Sequence, residues 1–165
     1  MKSKLQPGDF SYRAQVAALP IRVGRAGDIE VLLISSRETR RWIIPKGWPM
    51  KGRKDHQAAA KEALEEAGVI GKVRKHPIGG YTYQKRLNDR VQPCRVMVYR
   101  LDVEHELEAW PEKNQRERQW FPAGAAADSV SEPRLASMIR RLGHDANDDQ
   151  GPIAKSSAAG SSGLV

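Results

Sequence analysis

The segment from Gly47 to Val69 restricts this chain more than any other, because it joins a loop rich in Gly and Lys to a helix with two unlike faces. Asp55 reads as the N-cap, and residues 56–67 are rich in helix formers. Ala59, Ala60, Ala63, Leu64 and Ala67 make an apolar stripe, and Gly68 supplies a left-handed stop. Glu62, Glu65 and Glu66 stand at i, i+3 and i+4, so at about 100° per residue they fall within roughly a 100° arc of one face. A helix built this way packs on a sheet through its alanines and presents three carboxylates to a cleft. Like charges at this spacing repel and destabilise a bare helix. A hard divalent cation such as Mg²⁺ or Mn²⁺, which prefers oxygen ligands, compensates directly. An acidic face merely screened by Lys61 is the alternative that the helix alone leaves open.

Around this segment the pattern alternates between strand and turn. Residues 15–23 read as a strand (Val16, Ala18, Ile21, Val23), 24–28 as a turn and 29–35 as a second strand, making a hairpin. Trp42-Ile43-Ile44 is a short strand stopped by Pro45, which has no N–H for a ladder. Residues 46–54 read as a loop. Residues 78–85 and 91–103 are strands around a polar turn at 87–90, and 118–121 is one more short strand. A short helix is expected over 122–128 and a longer amphipathic one over 132–142, carrying Leu135, Met138, Ile139 and Leu142. From Gly143 onward almost nothing is apolar, so residues 143–165 are expected to be a disordered tail. Residues 1–11 are expected to be an N-terminal extension and 12–142 one domain. Strands followed by inserted helices give an α/β (α+β) fold.

A chain of 165 residues with 39% apolar and 29% charged residues suits one globular domain. Its longest aliphatic run, Val31-Leu32-Leu33-Ile34, is far shorter than the roughly 20 residues of a membrane span, so no membrane role is expected. Residues 1–10 lack the apolar stretch of a secretory signal, and a cytoplasmic location is expected. The single cysteine, Cys94, provides no disulfide framework and reads as a small semi-buried residue. Net charge is +8, and Arg37, Arg40, Arg41, Lys46, Lys51, Arg53 and Lys54 crowd into fewer than twenty positions. That density implies a polyanionic partner, either a nucleic acid or a small polyphosphate.

The run Gly47 … Lys61-Glu62-Ala63-Leu64-Glu65-Glu66-Ala67-Gly68-Val69 resembles the Nudix box, Gly-x5-Glu-x7-Arg-Glu-U-x-Glu-Glu-x-Gly-U, where U is aliphatic. With Gly47 as the first glycine, Glu62, Glu65, Glu66, Gly68 and Val69 fall on family positions. Two positions depart: Arg53 stands where the family has its first glutamate, and Lys61 where it has arginine. Those two residues usually brace the loop against the helix, and two cations cannot form that brace. Tyr12-Arg13, Ser35-Ser36-Arg37, Arg41-Trp42-Ile43-Ile44-Pro45 and Trp110 … Arg116-Glu117-Arg118-Gln119-Trp120-Phe121 are similar to the branch that hydrolyses diphosphoinositol and diadenosine polyphosphates. Lys46 stands where that branch commonly has a second glycine.

The resemblance implies an α/β/α sandwich around a mixed sheet and a metal-dependent pyrophosphohydrolase. Glu62, Glu65 and Glu66 would hold Mg²⁺ or Mn²⁺, with Glu66 and Glu62 catalytic and Glu66 accepting the proton of the attacking water. Arg13, Arg37, Arg41, Lys46, Arg116 and Arg118 are the candidate phosphate contacts, arginine binding bidentately and lysine as a point charge. Trp42, Trp48 and Trp110 are candidates for stacking on a base. Glu112 and Glu117, in a region that often contributes a further acid, read as surface charges. A Nudix-like domain that binds a nucleotide or polyphosphate without cleaving it is a rival reading. A nucleic-acid module is another, although no RNA-binding motif, zinc-finger spacing or helix-turn-helix is present; a capped RNA end would combine the two ideas.

Overall fold

The computed structural model describes residues 11–145. Strand β1 (Arg13–Val23) and strand β2 (Ile29–Ser35) form the expected hairpin, with Ile21 opposite Val31. Their alternate residues serve different cores. Ala17, Leu19, Ile21, Val31 and Leu33 face one layer, whereas Val16, Ala18, Leu32 and Ile34 face the other. A strand covered on both sides carries an unbroken apolar run, which is why 31–34 reads as it does.

β3 (Trp42–Ile43) pairs with β2, and β4 (Lys46–Gly47) pairs with β1, placing Gly47 opposite Val16. Lys46 and Gly47 therefore belong to the sheet and not to the expected loop: Pro45 offers no N–H, but its carbonyl accepts from Ala18 N–H at 3.0 Å and carries the chain onto β1. Helix α1 (Asp55–Glu62) comes next and runs into a π-helical turn, Ala63–Ala67, closed by Gly68 at φ 66°. Asp55 is the first helical residue and not the cap; Lys54 holds that position, its N–H donating to Gln57 Oε1 at 3.0 Å. Ala58, Ala59, Ala63 and Ala67 form the buried stripe, while Ala60 and Leu64 are only half-buried.

β5 (Val69–Val73), β6 (Gly79–Arg86) and β7 (Val91–Glu106) complete the centre of the sheet. β7 runs parallel to β1, from Arg13 opposite Cys94 to Ile21 opposite Asp102, and antiparallel to β5 and β6. β8 (Arg118–Pro122) is antiparallel to β2. The sheet is thus mixed, as expected. Strand β5 was not anticipated. Its Gly71 sits at an irregularity where an added Cβ would meet the Asp102 carbonyl oxygen at 2.0 Å, and that glycine interrupts the apolar signal.

Helix α2 (Ala123–Ser129) and helix α3 (residues 133–145) cover one face of the sheet, through Ala126, Ala127, Leu135 and Ile139; α1 and the π-turn cover the other. The result is the α/β/α sandwich the resemblance implied. Residues 143–145, expected in the disordered tail, are helical. Gly143 permits this because a Cβ there would stand 2.9 Å from Ala123 Cβ, so the helix passes close to α2. The remainder of that tail and residues 1–10 of the N-terminal extension lie outside the described residues. No described helix is long and apolar enough to cross a membrane.

Candidate active site

The acidic turn and strand β4 meet at the end of the sheet. Glu66 is only 8% exposed, and its Oε1 accepts the Lys46 N–H at 3.2 Å. Glu62 faces Glu66, whose charge helps raise its pKa, and its carboxylate fills the space beside Gly47, where a Cβ would come within 2.4 Å. Only glycine leaves room for a carboxylate so close to this backbone. Glu65 turns aside and pairs with Lys61 at 3.4 Å. The triad is therefore two facing carboxylates and one deflected. Among the described residues no three His, Cys, Asp or Glu side chains already stand in a metal-holding arrangement.

Glu112, read from sequence as a surface charge, joins the cluster. Its Oε1 accepts from Arg116 Nε at 2.8 Å, and its charge raises the pKa of both Glu62 and Glu66. Burial first, then Glu66, Glu65 and Glu112, push the Glu62 carboxyl up to about 8. Burial also raises Glu66, against the opposing pull of Arg116 and Lys46. A buried, like-charged group of oxygen ligands whose protons are held this firmly suits a divalent cation, which replaces those protons and neutralises the repulsion.

These pKa directions set how stability should vary with pH. The folded, metal-free chain holds the Glu62 proton up to about pH 8, whereas the ordinary glutamate value is 4.5. The stability this group contributes is present in full below pH 4.5 and is lost as pH rises through about 8. The metal-free melting temperature is therefore expected to fall over that window, and added Mg²⁺ to restore it most at the alkaline end. A thermal melt series with and without EDTA checks this, and a metal effect independent of pH contradicts it.

The cationic candidates divide into two groups. Arg116 and Arg118 point inward. Arg116, 7% exposed in its side chain, lies 3.8 Å from Glu66 Oε2 and donates to the Ser35 carbonyl at 3.1 Å. Arg118 donates to the carbonyls of Ala67, Gly68 and Leu107 at 3.0, 3.1 and 2.7 Å. Arg118 was expected to contact phosphate; in this geometry its Nη1 and Nη2 donate to the main chain. Arg13, Arg37, Arg41 and Lys46 make other contacts. Arg13 lies 4.2 Å over the Trp48 ring, and Arg37 Nη1 donates to Gln115 Oε1 at 3.2 Å. Arg41 is exposed and donates to Thr39 Oγ1 at 3.2 Å.

Lys46 stands over the Tyr83 ring at 5.0 Å. Burial lowers its pKa to about 8; Glu66 and Glu132 pull the other way, while Lys85 and Arg116 lower it further. Lys85, not among the residues singled out from sequence, also approaches Trp48 at 5.9 Å. Its strand alternation with Tyr81 and Tyr83 was the available signal. Of the three stacking candidates, Trp42 packs edge-on against Phe121 at 5.1 Å and Trp110 lies under Arg118, leaving Trp48.

The family described as NUDIX domain matches residues 11–142. Nudix hydrolase 16, mitochondrial, of Arabidopsis thaliana is 36% identical over 115 residues, covering 67% of this chain and 63% of that protein, less than two thirds of its length. Diphosphoinositol polyphosphate phosphohydrolase 3-beta of Bos taurus is 34% identical over 140 residues, covering 82% of this chain and 80% of that one. A C. elegans Ap4A hydrolase structure superposes with a TM-score of 0.58 at 20% identity, covering 79% of this chain and 94% of that chain, and supports the fold. The expectation of a cytoplasmic location is corrected: Nudix hydrolases 12, 13, 16, 17 and 18 of Arabidopsis thaliana are mitochondrial by name. Mitochondrial transit peptides are amphipathic, so the lack of an apolar leader was no argument against such an address.

Proposed function

The chain belongs to the NUDIX domain family and is a hydrolase acting on pyrophosphate bonds, and from that premise we propose that its substrate is a highly charged polyphosphate of the diphosphoinositol or diadenosine type. The observation that carries this reading is the line of cations leading from the acidic turn. Lys46 stands beside Glu66, Lys85 lies close enough to lower the Lys46 pKa, and Arg13 and Lys85 approach Trp48. Gathering like charges costs free energy unless an anion joins them. A chain of phosphates does so along its length, and a base on Trp48 would suit a dinucleotide.

Enzymes of this family use a divalent cation, and Mg²⁺ or Mn²⁺ is the ion proposed here, held by Glu62 and Glu66 with Glu65 released from Lys61. Such an ion neutralises phosphoryl oxygens and lowers the pKa of a bound water. The chain supplies the rest. Glu66 takes the proton of the attacking water as the new P–O bond forms and the bridging P–O bond breaks, the leaving phosphate oxygen keeping the electron pair. Arg116 and the Lys46 N–H keep that carboxylate in place. The Lys46 ammonium and Arg13 orient the phosphates.

A panel of phosphoanhydrides with Mg²⁺, products resolved by ³¹P NMR at low and high ionic strength, tests the reading. Higher kcat/KM is expected for diadenosine or diphosphoinositol polyphosphates than for nucleoside triphosphates, with the advantage shrinking as salt screens encounter. Better turnover of nucleoside diphosphate sugars would overturn the assignment. Tight polyphosphate binding without turnover would favour the non-catalytic rival.

A further inference from the structure

We propose that Trp110 and Arg118 are positioning residues that hold the acidic turn Ala63–Ala67 from its C-terminal side, in place of the brace that Arg53 and Lys61 cannot form. The inference rests on Glu62 and Glu66 being the metal ligands.

A helix ends with carbonyls that have no partner inside the helix, and each needs a donor from elsewhere. Here those of Glu65, Glu66, Ala67 and Gly68 are all met by residues 107–118. The Glu112 N–H donates to Glu65 O at 3.0 Å and Trp110 Nε1 to Glu66 O at 3.3 Å. Arg118 Nη1 donates to Ala67 O at 3.0 Å and to Gly68 O at 3.1 Å, and the Leu107 N–H reaches Gly68 O at 2.8 Å. Arg118 Nη2 closes on Leu107 O at 2.7 Å, tying the segment to its own start, and the guanidinium stacks on the Trp110 ring at 4.0 Å. The ring sits so near the helix end that a Cβ on Gly68 would lie 2.4 Å from it.

Glu65 and Glu66 are thus gripped by their main-chain oxygens while Glu66 presents its carboxylate to Glu62. The grip matters because the turn is π-helical, a form rare and used in short pieces. Slipping to the α-helical register would rotate the residues beyond the turn by about one position, roughly 100°. The donors on 107–118 fix the main-chain oxygens of the turn as it stands, and with them the direction in which the Glu66 side chain leaves the backbone.

Trp110→Phe removes the Nε1 donor and keeps a ring beneath Arg118. Arg118→Lys keeps a charge that cannot span three carbonyls. Manganese titration by EPR, without substrate, reads the site directly; kcat, KM and the melting temperature are measured alongside. Outer partners of metal ligands are typically worth ten- to a hundredfold. Both variants are expected to weaken Mn²⁺ binding and lower kcat by about that factor, with KM within about twofold and Trp110→Phe still folded. Wild-type Mn²⁺ affinity in a folded Trp110→Phe overturns the proposal, and that variant decides alone if Arg118→Lys fails to fold. A rise in KM with normal Mn²⁺ binding in Arg118→Lys would make Arg118 a substrate contact and also overturn it. Weakened Mn²⁺ binding in the variants, with no polyphosphate turned over by the wild type, would uphold the positioning role and overturn the substrate reading instead.

Discussion

Glu66→Gln is expected to lower kcat at saturating metal by about two to three orders of magnitude, while the metal-free protein melts at an unchanged or higher temperature at pH 8. The rate falls because the amide neither takes a proton from water nor carries the charge a cation needs. The fold does not suffer, because Glu66 is already pushed toward its neutral form by burial and by Glu112, despite Arg116 and Lys46. Glutamine supplies that neutral form and can still accept the Lys46 N–H through its amide oxygen. Glu62→Gln is expected to behave alike, since its carboxyl is raised to about 8 for similar reasons. An unchanged kcat in Glu66→Gln removes that residue from the mechanism. A large drop in melting temperature would show the carboxylate to be structural.

Arg116→Met is expected to be the most destabilising single change at the site. The guanidinium is buried and serves Glu112 at 2.8 Å, Glu66 at 3.8 Å and the Ser35 carbonyl at 3.1 Å. Removing one partner of a buried ion pair leaves the others uncompensated, at about 3–5 kcal/mol, or a fall of roughly 10–20 °C in melting temperature. The deficit is expected to shrink in the double variant Arg116→Met/Glu112→Gln, which removes one of the stranded carboxylates. A melting temperature within about 2 °C of wild type at pH 8 would show that Arg116 does not hold the cluster together.

The elements legible in the sequence are those whose signal is local. Residues 31–34 read as strand because alternate side chains serve different cores, so the run Val31-Leu32-Leu33-Ile34 is apolar throughout. Gly68 ends the helix because its φ is 66°. The acidic triad could be read because helical spacing gathers residues three and four apart whatever surrounds them. Strand β5 escaped because Gly71, required by the Asp102 carbonyl pressing on it, breaks a five-residue pattern. The cap was misplaced by one residue because Asp55 is a good capping type, yet Gln57 satisfies the Lys54 N–H instead.

What the amino-acid order determined by itself is the inventory of the site: three glutamates, a glycine beside them, a surplus of cations, and two box positions altered from the family pattern. Tertiary structure alone decided how that inventory is used. Glu112 enters the cluster from 46 positions beyond Glu66. Glu65 is drawn off by Lys61, and Arg118, which looked like a phosphate ligand, closes the helix end. The reason is physical: a charged side chain goes to whichever buried partner most needs it. Which carbonyls and carboxylates lack partners is settled only when strands distant in sequence have packed.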